Sequence, residues 1–418
     1  MSTGTEDEAI LIIGAGLAGV SAAESVRKAG FAGRVVLAGD EPDAPYDRPP
    51  LSKSVLCSAE ALSNLELRDP AFYAENGIEL KLASTAELIE RDSRRVHFAD
   101  RTSVPYKKLV LTTGSSLRIL PILPPGMPNV FYLRRLSDAL ALREALPQTC
   151  RMMIVGAGVI GLEVAATART LGIAVTVLEA AATPMARAMC PTMCDFILGK
   201  HADHGVHIRT NTTVVNVDRF GAGYRVTLSD GDSVDTDVIV VGIGVVPNIG
   251  LAAAAGLTVS ANGIHVNEFG QTSDENVYAA GEVAFHYNHR AGQMDRQENW
   301  LHAAAHGEHV GRTLVAGGPG YNEISGYWSD QFDFSIQSFG MPKGDRDVVR
   351  GSVTNGSFTI FHLVGDVVKG VSSINAARDM RTGKALVRDS ARIPESVLSD
   401  PSIDLGKWRQ SAMTSPAV

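Results

Sequence analysis

"LIIGAGLAGVSAAE" (Leu11–Glu24) decides the fold. An apolar strand, Ala9–Ile13, runs into three glycines spaced G-x-G-x-x-G, at Gly14, Gly16 and Gly19. An apolar-periodic helix follows over Val20–Ala29, and Gly30 stops it. The next strand, "RVVLAGD", ends in an acid, Asp40, about 20 residues on. The chain then repeats the pattern at "MMIVGAGVIGLEVA" (Met152–Ala165). Strand Met152–Val155 leads into Gly156, Gly158 and Gly161, a helix runs to Gly172, and strand "AVTVLE" closes on Glu179. With 41 glycines in 418 residues, such a triplet arises by chance roughly 0.4 times over the chain, so the glycines alone decide nothing. The strand before, the helix after and the acid at the next strand end decide it, and all are met twice. Each unit reads as a complete βαβ dinucleotide fingerprint. The glycines let backbone approach a pyrophosphate, the helix N-terminus favours its charge, and the acid accepts from a ribose hydroxyl pair.

Composition narrows the rest. The chain is 45% hydrophobic and 20% charged, ordinary for a globular protein of two or three domains. A net charge of −8 argues against a nucleic-acid partner, because a phosphate backbone wants a basic face. No apolar run reaches membrane-spanning length, and the best candidate, Val238–Val246, reads as one buried strand closed by Pro247. The N-terminal "MSTGTEDEA" is acidic and unlike a targeting segment, so the cytoplasm is the expected compartment. Cys57, Cys150, Cys190 and Cys194 include no Cys-x-x-Cys pair. "HADHGVH" (His201, His204, His207) and "HAAAHGEH" (His302, His306, His309) have metal-like spacing but no nearby cysteine or second cluster, so no metal is expected. Cys190 and Cys194 read as ordinary thiols at a helix start.

Two dinucleotides in one chain imply electron transfer between them, with a flavin as resident and a nicotinamide as visitor. Glu179 favours NADH over NADPH, since a carboxylate there repels a 2′-phosphate, and the next basic residue is Arg187.

Further stretches now carry a resemblance: "YDRPPLSK" (Tyr46–Lys53), "LVLTTGSSLR" (Leu109–Arg118), "VIVVGIGVVPN" (Val238–Asn248), "VYAAGEVA" (Val277–Ala284) and "YWSDQFD" (Tyr327–Asp333). With the two loops, the set resembles the FAD-dependent, NADH-linked ferredoxin reductases of bacterial oxygenase systems, the putidaredoxin reductase and biphenyl dioxygenase reductase family. The likeness runs from about Ala9 to the 390s. It implies an α/β fold with two Rossmann-like dinucleotide-binding domains, glutathione-reductase-like, plus a C-terminal α+β domain. The FAD domain would be discontinuous, 1–115 and 243–320, with the NAD domain at 116–242 and the C-terminal domain at 321–418. The residues agree with the last part: "SFTIFHLV", "GD" and "VVKGVSSIN" read as two strands on a two-residue turn, and Ala376–Arg388 as a helix.

The resemblance also implies roles. The Gly14 loop would hold the FAD pyrophosphate and Asp40 the adenosine ribose. Arg48, Lys53 and Arg134 would reach the flavin side. Glu163 would lie near the nicotinamide and pair with Lys53. Trp328 would cover the isoalloxazine region, with Glu298 and Trp300 close by. That family usually carries aspartate where this chain has Glu282, so the longer side chain is expected on the ribityl chain. The blander alternatives are an ordinary Lys53–Glu163 ion pair, core packing for Trp328 and structural arginines at 48 and 134.

Disulfide reductases of this architecture carry a cysteine pair just after the first βαβ unit. Here "YDRPPLSKSVLC" has one cysteine, so electrons must leave for an external acceptor. The reading is a ferredoxin–NAD(+) reductase that serves a [2Fe–2S] ferredoxin and, through it, an aromatic-ring dioxygenase. The chain would be a monomer or a homodimer. The alternatives are a rubredoxin reductase, an NADH oxidase, or an NADH-sensing flavoprotein of the apoptosis-inducing-factor type. Arg296, Arg312, Lys343 and Arg346 are candidate members of a basic docking patch.

Overall fold

The computed structural model describes residues 9–186 and 188–414. Arg187 and the acidic stretch ahead of Ala9 lie outside the described residues. The chain divides into two compact units. Among the described residues, one comprises residues 9–48, Ala61–Ser116 and Val245–Ser325; the other comprises Pro49–Glu60, residues 117–186 and 188–244, and residues 326–414.

The first unit is built on a five-stranded sheet in which Ile10–Ile13 is central, parallel to Val35–Ala38 on one side and Lys108–Leu111 on the other. All four residues of Ile10–Ile13 and of Val35–Ala38 are buried. A continuous apolar run, and not an alternating one, is what a parallel strand covered on both faces requires. The following helix, Leu17–Lys28, begins three residues earlier than its periodicity suggests, so Gly19 lies inside its first turn. Gly30 has φ +89°, a left-handed stop. The helix Trp300–Ala316 packs on Leu17–Lys28 through glycines. A Cβ on Gly307 would sit 2.2 Å from the Ala18 carbonyl oxygen, and one on Gly311 2.3 Å from that of Ala22.

The second unit repeats the plan. Strand Arg151–Val155 pairs in parallel with Ala174–Leu178 and with Val238–Val241, and helix Val159–Thr170 follows its glycine loop. The expected single strand over Val238–Val246 is two: Val238–Val241 in this second unit, and Val245–Pro247, which belongs to the first. Gly242 and Gly244 interrupt the run, and Gly244 has φ +96°, which no strand residue adopts. The same unit carries an antiparallel five-stranded sheet, in the order Gly326–Gln331, Phe334–Gly340, Val367–Ile374, Ser357–Val364, Arg346–Ser352. Gly365 and Asp366 make the expected two-residue turn, with Gly365 at φ +57°. Helix Ala377–Arg388 covers this sheet. Among the described residues no helix is long and apolar enough to cross a membrane.

Candidate functional site

In the first glycine loop the protein's own packing accounts for two glycines. A Cβ on Gly14, which has φ +114°, would meet the Thr112 carbonyl oxygen at 2.2 Å, and one on Gly19 would meet the Gly14 oxygen at 2.0 Å. Gly16 is different: a Cβ there meets nothing within 4 Å. It is the N-cap of Leu17–Lys28, and no side chain caps that helix. The chain itself therefore does not require a glycine at 16, and uncapped N–H groups stand beside it. An anion brought against this backbone would use both features.

The second loop is built alike. Gly156 is forced by the Gly242 oxygen at 2.4 Å and Gly161 by the Gly156 oxygen at 2.1 Å, whereas Gly158 faces open space. Gly158 N-caps Val159–Thr170, again without a side-chain cap. Glu179 closes this loop. Its Oε2 accepts from the Ala157 N–H at 2.9 Å and its Oε1 from the Ala181 N–H at 2.8 Å. Both cradles fit a dinucleotide pyrophosphate, and the second presents a fixed carboxylate at the strand end.

Lys53 and Glu163 meet in the second unit. Lys53 Nζ lies 2.8 Å from Glu163 Oε1. Glu163 is buried, and it also accepts from Ser52 Oγ at 2.5 Å and Ser329 Oγ at 2.6 Å. Burying a carboxylate is tolerable only when partners satisfy its lone pairs, and three donors do so here. The chain of bonds continues. Ser329 Oγ accepts from Gln331 Nε2 at 3.0 Å, and Gln331 Oε1 accepts from His201 Nε2 at 2.8 Å. His201 is fully buried, and desolvation holds its pKa below the usual histidine value. Thr167 Oγ1 donates to the Ser52 carbonyl at 2.9 Å, tying Ser52 to the helix that carries Glu163.

The other expected residues are placed as follows. Asp40 is exposed, two positions past the end of Val35–Ala38. Glu41, its neighbour, accepts from Arg48 Nη2 at 2.7 Å and Tyr46 OH at 2.5 Å, and the Arg48 guanidinium lies 5.2 Å from the Tyr46 ring centroid. Trp300 Nε1 donates to Asp47 Oδ1 at 2.7 Å. Glu282 is half-buried in the single 3-10 turn Gly281–Val283. Glu298 is half exposed and pairs with Arg296. Arg134 is half-buried, and its backbone N–H donates to Asp138 Oδ2 at 2.9 Å. Trp328 is half-buried on Gly326–Gln331. The four candidate patch cations are already engaged: Arg296 with Glu298, Arg346 with Asp366 and Glu395, Lys343 with the Ala186 carbonyl, Arg312 with His309.

Of the spaced histidines, His201, His204 and His207 do not converge: His201 bonds Gln331, and His204 stacks on Phe332 at 3.8 Å. His302 and His306 do converge, with a residue that spacing does not reveal, His286. His309 instead bonds the Glu268 carbonyl at 3.1 Å. Cys57 is free and exposed; Cys190 and Cys194 are free and buried, and burial pushes the Cys190 thiol up to about 11. Sequence reasoning missed Ser52, Ser329 and Gln331. The signal was available in the strand period: in "YWSDQ", Ser329 and Gln331 are buried while Asp330 is exposed.

Comparison with known proteins agrees. The family profile described as pyridine nucleotide-disulphide oxidoreductase matches residues 8–307, and that described as reductase C-terminal matches residues 327–408. Rhodocoxin reductase of Rhodococcus erythropolis is 40% identical over 399 residues, covering 95% of this chain and 93% of the relative. The ferredoxin–NAD(+) reductase component of the anthranilate 1,2-dioxygenase system of Burkholderia cepacia is 37% identical, covering 94% of this chain and 98% of the relative. Among solved structures, a chain of the covalent putidaredoxin reductase–putidaredoxin complex superposes with a TM-score of 0.92 at 34% identity, covering 98% of this chain and 100% of that one. With its two glycine cradles and its C-terminal sheet, the chain belongs to the pyridine nucleotide-disulphide oxidoreductase family, in the branch of NAD(H)-dependent reductases that carry the reductase C-terminal domain.

Proposed function

We propose that the protein is a ferredoxin–NAD(+) reductase that takes reducing equivalents from NADH through FAD and delivers them singly to a [2Fe–2S] ferredoxin serving an oxygenase, an aromatic-ring dioxygenase foremost. The observation that carries the reading is the pair of open, uncapped cradles at Gly16 and Gly158 in a chain with one cysteine in the Tyr46–Cys57 stretch. Two dinucleotides are held and no internal disulfide receives the electrons. FAD, when bound, supplies the conversion between two-electron and one-electron chemistry.

The chain's own residues bind, orient and exclude water. The Gly14–Gly19 loop receives the FAD pyrophosphate, with Asp40 toward a ribose and with Arg48, Arg134, Glu282, Glu298, Trp300 and Trp328 as the further FAD contacts. The Gly156–Gly161 loop receives that of NADH. Glu179, already held by the Ala157 N–H, offers its remaining lone pairs to the ribose 2′-hydroxyl and repels a 2′-phosphate. Lys53 tunes the flavin's electrostatics, its partner Glu163 helps set the Lys53 charge and places the nicotinamide, and the serines at 52 and 329 keep Glu163 in place. Trp328 offers a flat apolar face to a ring. The division into an FAD domain at 1–115 and 243–320, an NAD domain at 116–242 and a C-terminal domain at 321–418 belongs to the same reading. So does residence in the cytoplasm, the compartment that supplies NADH.

The test is NADH oxidation by the flavin-loaded protein, with cytochrome c as final acceptor, with and without a [2Fe–2S] ferredoxin. A large ferredoxin-dependent rise supports the reading. A flat response across several ferredoxins, with the flavin still bleached by NADH, moves it to an NADH oxidase, a rubredoxin reductase or an NADH sensor.

A further inference from the structure

The most unusual chemistry outside the sites above is a buried trio of imidazoles. His286 on strand Ala284–Asn288 and His302 and His306 on helix Trp300–Ala316 are 3%, 0% and 1% exposed. Their ring centroids lie 4.9–5.2 Å apart, and Tyr321 closes the cluster, 4.6 Å from His306. Three facing histidines suggest a metal, and the nitrogens of His286 and His302 that lack partners, both Nε2, sharpen the suggestion. One bond speaks against it. The Gly281 N–H donates to His306 Nδ1 at 3.2 Å. A neutral imidazole that accepts at Nδ1 carries its proton on Nε2 and has no lone pair left there for a cation.

The same bond points elsewhere. Gly281 opens the turn Gly281–Val283 that carries Glu282, and its backbone is special: φ is +74°, and a Cβ would lie 2.6 Å from Ala18 Cβ, in the helix that starts at the first cradle. Its N–H points into the interior, away from water, and His306 is its acceptor. The helix bearing His306 is locked by Gly307 against the Ala18 carbonyl. The imidazole therefore holds the turn from a helix that is itself packed on the first cradle's helix. We propose that His306 is a positioning residue for FAD: a neutral acceptor that holds the Gly281–Glu282 backbone in the conformation FAD binds. This rests on the assignment of the first cradle to FAD.

The groups around His306 agree with a neutral role. His286, His302 and His309 face it from two elements, and Tyr321 from the segment after the helix. Glu268 and Glu323 lie beyond, toward His309, as does Arg312. Helix Leu17–Lys28 meets Gly307 and Gly311 with the carbonyls of Ala18 and Ala22, and Gly281 with the Ala18 Cβ. Burial among other imidazoles pushes His306 well below its ordinary value, so it remains an acceptor at neutral pH.

The test is FAD retention by the holoenzyme at pH 8, read as a dissociation constant from released-flavin fluorescence, for His306→Leu, His306→Asn and His306→Gln. Leucine keeps bulk and loses the acceptor; the amides keep an acceptor and change bulk. Acceptance predicts about tenfold weaker FAD binding in His306→Leu, with at least one amide restoring it to within about threefold. The reverse order, leucine near wild type and both amides weak, would mean packing alone and overturn the proposal. Stoichiometric zinc in the wild type by elemental analysis, lost in His306→Leu, would also overturn it. A protein that binds no flavin at all would instead defeat the FAD assignment itself.

Discussion

Lys53 Nζ and Glu163 Oε1 lie 2.8 Å apart, and the carboxylate side chain is 2% exposed. A buried carboxylate with a cation and two hydroxyls is held in one geometry, since losing any donor strands a charge. Glu163→Gln preserves shape and still satisfies both serines, but removes the charge. It is expected to lower stability by about 1–3 kcal/mol, a shift of a few degrees in Tm. It is also expected to slow flavin reduction by NADH about tenfold, through lost orientation of the nicotinamide. Stopped-flow bleaching of the flavin reads the rate. Wild-type speed would reduce the pair to an ordinary ion pair.

Glu179 bridges two parts of its own loop through the Ala157 and Ala181 N–H groups. On the proposed reading its charge, set against a 2′-phosphate, makes the cofactor preference. Glu179→Gln keeps an acceptor for Ala157 and removes the repulsion. The ratio of kcat/KM for NADH over NADPH is expected to shrink by about 10- to 100-fold, with most of the change a gain in NADPH. An unchanged ratio would place discrimination elsewhere.

The two cradles were legible because everything in them is local: strand, glycines, helix and acid fall within some thirty residues, and a parallel central strand is apolar throughout. The surroundings of Glu163 were not, because Ser52 and Ser329 stand 111 and 166 residues away in sequence. In "WSDQ" the tryptophan stands out, yet it is Ser329, on the opposite face of that strand, that bonds Glu163. The break at Gly242–Gly244 was hidden by β-branched neighbours on both sides, although two glycines in three positions are a poor strand. His286 joins His302 and His306 only through tertiary packing, so helical spacing could not find the trio.

Burial holds His302 neutral in the fold, at a value of about 3 against 6.5 when exposed. The unfolded chain binds a proton there between those limits and the native chain does not. Stability therefore rises with pH across this window: it is complete above about 6.5 and lost progressively toward pH 3, at up to about 1.4 kcal/mol per pH unit for each such histidine. His286, also lowered by burial, adds in the same direction. Denaturant midpoints measured from pH 8 to 4 should fall with acid, and His302→Asn should flatten the fall. An acid limb unchanged in that variant would mean that carboxylates dominate it.

Gly14 and Gly16 separate what the fold needs from what a ligand needs. At Gly14, φ +114° and the Thr112 oxygen 2.2 Å from a Cβ leave no room for alanine. Gly14→Ala should cost more than about 3 kcal/mol and yield little folded protein. At Gly16, φ is −79°, which alanine adopts freely, and a Cβ meets nothing within 4 Å. Gly16→Ala should fold with stability changed by less than about 0.5 kcal/mol. It should nonetheless lose FAD, because the added methyl stands where a pyrophosphate must touch backbone. Gly158→Ala makes the matching case for NADH: normal flavin content, with KM for NADH raised about tenfold or more. Thermal unfolding together with flavin absorbance decides the first pair. If Gly16→Ala keeps its flavin at wild-type affinity, the first loop is a strand–helix turn and nothing more, and the dinucleotide assignment of that cradle fails with it.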